Sequence, residues 1–67
     1  MIQVTVNGKP HPLERPLDLA SVLAGLQLAG KKIAVERNGE LVPRSLHVAT
    51  LLEDGDRLEI VVAVGGG

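Results

Sequence analysis

Apolar and polar residues alternate at the start of the sequence. Ile2, Val4 and Val6 are separated by Gln3 and Thr5, the two-residue period of a strand with one buried face. Asn7-Gly8 follows, and because both residues tolerate positive φ the pair predicts a tight hairpin. The return strand runs over Lys9 to Leu13. Pro10 and Pro12 have no N–H to give a neighbour, so this strand belongs at a sheet edge. Pro16 and Leu17 close the unit. The period then changes: Leu19, Val22, Leu23 and Leu26 fall at i, i+3, i+4 and i+7, one apolar face of a helix, with Asp18 as its N-cap. Gly25 within it costs about 1 kcal/mol relative to Ala. Gly30 is placed to end the helix, with Lys31 and Lys32 near the negative end of its dipole.

Ile33-Ala34-Val35-Glu36-Arg37 predicts a third strand, and Asn38-Gly39 repeats the hairpin signal before Glu40-Leu41-Val42. Pro43 stops that short strand. Ser45 to Thr50 reads as irregular chain or a single helical turn. Glu53-Asp54-Gly55-Asp56 reads as an acidic turn, with solvent around its carboxylates. The last strand spans Arg57 to Val64. The order is β-β-α-β-β-β, an α+β class with a mixed sheet and one helix on one face. The first and last strands are the most apolar, so they are placed centrally, side by side and parallel. The helix would bury Ile2, Val4, Val6, Leu58, Ile60 and Val62.

Composition narrows the function classes. Sixty-seven residues make one small domain, near the lower limit for a self-sufficient core. Hydrophobic residues make up 45% and aromatic residues 0%, so the core must be aliphatic and no base-stacking platform exists. Seven basic against eight acidic residues, net −1, leave no basic stripe for a phosphate backbone, which excludes nucleic acid as the expected partner. Without cysteine there is neither a disulfide nor a thiolate metal site. No apolar run approaches a bilayer's thickness, and Met1-Ile2-Gln3-Val4 reads as strand rather than signal peptide; a cytoplasmic protein with no membrane partner is the expectation.

Little of the usual chemistry is present. His11 and His47 lack metal-like spacing and read as surface polar residues, so no metal site is predicted. Ser21 and Ser45 read as a helix-start residue and a loop hydrogen bonder, not as nucleophiles. The final Gly65-Gly66-Gly67 has two readings. One is a frayed end. The other is a slim tail that threads into a partner's channel and presents the α-carboxylate of Gly67 there. Val61 and Ala63 bear on that choice, because alternation turns them away from Leu58 and Ile60, leaving the last strand apolar on both sides. They mark either a second covered face or a patch where a partner docks.

Read together, Val6-Asn7-Gly8, the helix from Leu19 to Leu26, Ile33-Ala34-Val35-Glu36-Arg37-Asn38-Gly39, Val42-Pro43-Arg44-Ser45, Gly55-Asp56 and the terminal Gly66-Gly67 resemble the ThiS family of bacterial sulfur carriers in thiamine biosynthesis. The likeness covers the whole chain in order. Where many relatives have aromatic residues, this chain has Leu46-His47 and Ala63-Val64, which bears on packing and docking. The resemblance implies a ubiquitin-like β-grasp domain over 1–64 and a flexible glycine tail over 65–67. It implies a carrier, not an enzyme. A ThiF-like adenylating enzyme would use ATP and magnesium, neither bound by this chain, to activate Gly67. A persulfide sulfur donor would then convert it to a thiocarboxylate, and a ThiG-like thiazole synthase would take the sulfur. Gly65 and Gly66 would thread the tail, while Val61, Ala63, Val64 and Arg44 would dock the body. Alternatives are a carrier for molybdopterin or tRNA thiolation, a non-covalent interaction module, or a tag joined to lysines.

Overall fold

Both Asn-Gly pairs form the predicted turns, and each asparagine has a second task. The structure, a computed structural model, describes residues 1–62. In it Asn7 and Gly8 have φ of 51 and 82, and Asn38 and Gly39 have φ of 53 and 87. These are the consecutive left-handed residues that a twisted two-residue hairpin requires. The first turn joins β1 (Ile2–Val6) to β2 (Lys9–Leu13), and the second joins β3 (Ile33–Arg37) to β4 (Glu40–Leu41). Between the hairpins lies α1 (Leu19–Gly25), and after them β5 (Arg57–Val62).

The sheet order is β2-β1-β5-β3-β4. β5 is parallel to β1, with Thr5 beside Arg57 and Val6 beside Leu58, and antiparallel to β3 from Ile33↔Val62 to Arg37↔Leu58. The parallel register is short, and Asn7 extends it. Its Oδ1 accepts from the Ile60 N–H at 2.7 Å, and its Nδ2 donates to the Ile60 carbonyl at 3.1 Å. Asn38 does the same on the other flank: its Oδ1 accepts from Arg57 N–H at 2.9 Å, and its Nδ2 reaches Asp56 at 3.0 Å. Each turn residue therefore also holds β5.

The core is aliphatic, as the composition demands. Val4, Leu13, Leu19, Val22, Leu23, Val35, Leu52, Leu58 and Ile60 are buried together between α1 and one face of the sheet. Asp18 caps α1, accepting from Ser21 N–H at 3.0 Å and from the Ser21 hydroxyl at 2.6 Å. The Ser21 contacts hold the Asp18 carboxyl below its ordinary pKa. No helix of the described residues is long and apolar enough to cross a membrane.

Several expectations are corrected. Gly30 does not end the helix. Gln27, at φ 63, turns the chain left-handed, with Gln27 N–H bonded to the Ala24 carbonyl at 3.0 Å and Leu28 N–H to that of Leu23 at 2.9 Å. That is a Schellman stop, with Leu28 following Leu23 back to the core. Lys31 and Lys32 consequently lie beyond the last turn. Val62 is 41% exposed rather than buried. A seven-residue helix is about 10 Å long, enough to cover Leu58 and Ile60 but not the end of β5. Ile2 and Val6 are only half-buried at the rim. Ala63 and Val64, placed in the last strand by sequence, lie outside the described residues, as does the tail over 65–67.

The acidic turn is not all solvated. Asp56 is 6% exposed. Arg37 reaches it at 2.9 Å, Asn38 Nδ2 at 3.0 Å and Glu53 N–H at 2.8 Å. Burial pushes this carboxyl up, but the donors and the guanidinium charge outweigh it and hold the pKa below its ordinary value of 3.8. A depressed folded pKa means that the unfolded chain binds more protons near pH 4. The resulting stability is present above pH 3.8 and is lost as pH falls through the folded pKa. Asp56→Asn should cost about 2–3 kcal/mol at pH 7 in urea unfolding, because its amide meets the same donors. It should also remove part of the acid sensitivity expected of the unaltered chain below pH 4.

Candidate functional site

β5 alternates as a half-covered strand should, until its end. Leu58 and Ile60 point to the core, whereas Val61 is 65% exposed on the opposite face. Register fixes its neighbours there. Val61 pairs with Ala34, Glu59 pairs with Glu36, and Glu36 pairs in turn with Leu41, which is 66% exposed. Thr5 and Arg57 continue the same face. α1 lies on the other side, so this face has no covering layer among the described residues. Val61 is thus exposed on this uncovered face, within the strand that leads in sequence to Gly67. Ala63, Val64, Gly65, Gly66 and Gly67 lie outside the described residues.

Arg44 does not share that face. It opens a 3₁₀ turn, Arg44–Leu46, after Pro43 has ended the short strand. It lines a groove of about 230 Å³ with Lys31, Leu23, Leu28, Ile33 and His47. Ile33 shares the helix-facing side of the sheet with Val35, so groove and open face are on opposite sides.

His47 corrects the reading of a surface residue. It is 8% exposed, and its Nε2 lies 3.1 Å from the Val42 carbonyl. A carbonyl only accepts, so Nε2 carries the proton. The His47 carbonyl accepts from Ala20 N–H at 3.1 Å, and Thr50 accepts likewise from Leu19 N–H at 2.8 Å. The loop therefore satisfies N–H groups that the first turn of α1 leaves unpaired. His11, opposite Val4 on the edge strand, is half-buried. Sequence reading also missed Leu52, fully buried beside exposed Leu51, because two adjacent leucines carry no period.

The model of the ThiS family matches residues 4–67. The chain belongs to the ThiS family. The sulfur carrier protein ThiS of Bacillus subtilis is 36% identical over 63 residues, spanning 92% of this chain and 96% of its own. The thiazole synthase of Magnetococcus marinus is 39% identical over 66 residues, 98% of this chain but 20% of that protein. This chain spans about a fifth of the length of the curated thiazole synthases it matches. The crystal structure of the thiamine biosynthesis protein ThiS from Geobacter metallireducens superposes with a TM-score of 0.83 at 36% identity, covering 98% of this chain and 100% of that one. The mixed five-stranded sheet with one helix is the ubiquitin-like β-grasp of ThiS.

Within this ThiS fold, His47 is structural. His47→Ala should destabilise by about 1–3 kcal/mol by leaving the Val42 carbonyl unpaired. Val48→Ala, at a 75% exposed neighbour, should stay within about 0.5 kcal/mol. Urea unfolding of the two variants checks both.

Proposed function

We propose that this chain is a sulfur carrier for thiazole formation. The observation that carries the reading is the extent of the family match, which runs through Gly65, Gly66 and Gly67 instead of stopping at the globular body. A carboxylate is a poor acyl donor because its leaving group would be an oxide. In the proposed reaction the Gly67 carboxylate attacks the α-phosphorus of ATP in a ThiF-like enzyme, releasing pyrophosphate and forming an acyl-adenylate. Magnesium on that enzyme neutralises the phosphates. A persulfide on the donor protein then displaces AMP, and a thiol cleaves the resulting disulfide to leave a thiocarboxylate. The sulfur passes to a ThiG-like thiazole synthase. That the curated thiazole synthases contain a segment like this chain supports thiazole over molybdopterin or tRNA as the destination.

Each part of the chain has a physical role in this scheme. Gly65 and Gly66 carry no Cβ, so they let the reacting carbonyl enter a narrow site without steric conflict. Fixing them costs roughly 1–2 kcal/mol per residue, which contacts of the body must offset. Val61 supplies part of that contact from the open face, Ala63 and Val64 extend it, and Arg44 adds a charged contact from the groove side. The chain is a co-substrate and its partners catalyse. A cytoplasmic setting, where ATP is available to those partners, is part of the same proposal.

Intact mass after incubation with ATP, a persulfide donor and the host's adenylating enzyme tests the reading. Exchange of one oxygen for sulfur, localised to Gly67 by fragmentation, is the expected result. Deleting Gly66 and Gly67 should abolish it while leaving the melting temperature unchanged. An unchanged mass, with the enzyme active on another carrier, overturns the proposal.

A further inference from the structure

We infer that Glu36 and Glu59 form an acidic pair that receives a basic side chain of the thiazole synthase when that enzyme docks on the open sheet face. This deepens the carrier reading and rests on it. The two glutamates are directly opposite in the antiparallel β3–β5 register, and both are exposed. Opposite residues on neighbouring strands have Cβ atoms about 5 Å apart, and like charges there repel. Among the described residues neither carboxylate has an ion pair. The ion pairs present are those of Arg37 with Glu53 and Asp56. Arg57, two residues before Glu59 on β5, gives this face one cation against two carboxylates.

The flanks are apolar: Val61 and Ala34 on one side, Leu41 on the other. A partner that covers them removes water from around the pair, and a guanidinium or ammonium placed between the carboxylates is then bound by both. A second copy of this chain would bring the same net negative face and be repelled. Nucleic acid is excluded by charge. A hard cation needs more oxygen ligands than two side chains on a flat sheet provide. The thiazole synthase is the partner best supported, since such enzymes carry a segment like this chain. Glu59 lies on β5, two residues before Val61, so a cation seated at the pair aligns the partner with the strand that leads to Gly67.

Repulsion within the domain and attraction to the partner predict opposite effects of neutralising the pair. Glu36→Gln, Glu59→Gln and the double variant are to be compared with Glu14→Gln, an exposed charge outside the sheet. Calorimetry against the purified thiazole synthase and, separately, the adenylating enzyme of the same organism, at two salt concentrations, measures affinity; thermal unfolding measures stability. The double variant should melt roughly 1–5 °C higher, bind about tenfold more weakly and lose most of the salt dependence of binding. Glu14→Gln should change neither. Unchanged affinity of the double variant, for a chain that does acquire sulfur at Gly67, overturns this inference alone. Weakening confined to the adenylating enzyme overturns the choice of partner. A chain that acquires no sulfur removes the carrier reading and this inference with it.

Discussion

The strand Arg57–Val62 lies between two hairpins that do not pair with each other, and it is held on each flank by an asparagine from a turn. The amide of Asn7 presents an acceptor and a donor to one residue, Ile60, as a neighbouring strand's backbone would. It thereby lengthens a parallel register in which only Thr5 and Val6 pair with Arg57 and Leu58. Asn38 holds the start of the strand while its other amide atom satisfies Asp56. Alanine could not adopt these turns without strain, and glycine could not make these bonds. Together with the backbone register to β3, those two side chains fix β5 and so the position of Val61 on the open face.

The elements were largely legible because each has a local cause. Alternation in Ile2–Val6, the Asn-Gly pairs, the prolines of Lys9–Leu13 and the helical spacing from Leu19 all act within a few residues. What escaped the sequence has long-range causes. Asn7 binds a residue 53 positions away, and Arg37 and Asp56 are 19 apart. His47 is buried because the loop folds back against the start of α1, and nothing near it in the sequence announces that contact. Gln27 ends the helix where Gly30 was expected: its left-handed backbone returns Leu28 to the Leu23 carbonyl and to the edge of the core. The side on which Val61 lies was legible from alternation, whereas its exposure and the side occupied by Arg44 depended on how the rest of the chain packs.

Electrostatics divides the molecule in two. On the helix-facing side Asp56 is surrounded by donors, and its charge is fully answered inside the domain. On the open side Glu36 and Glu59 face each other with no such answer among the described residues. The first arrangement fixes the fold, while the second leaves a charge available to a neighbour, on the face that the apolar residues Val61 and Leu41 also occupy.

The late position of β5 in the sequence has a kinetic meaning. Until residues 57–62 are available, the two hairpins have no strand in common, and Val4 and Val35 have no Leu58 or Ile60 to pack against. Local pieces can flicker into shape, but the pairing that rewards them closes loops of more than fifty residues on the β1 side. Folding should therefore be a single cooperative event, with little stable structure accumulating before the last strand inserts.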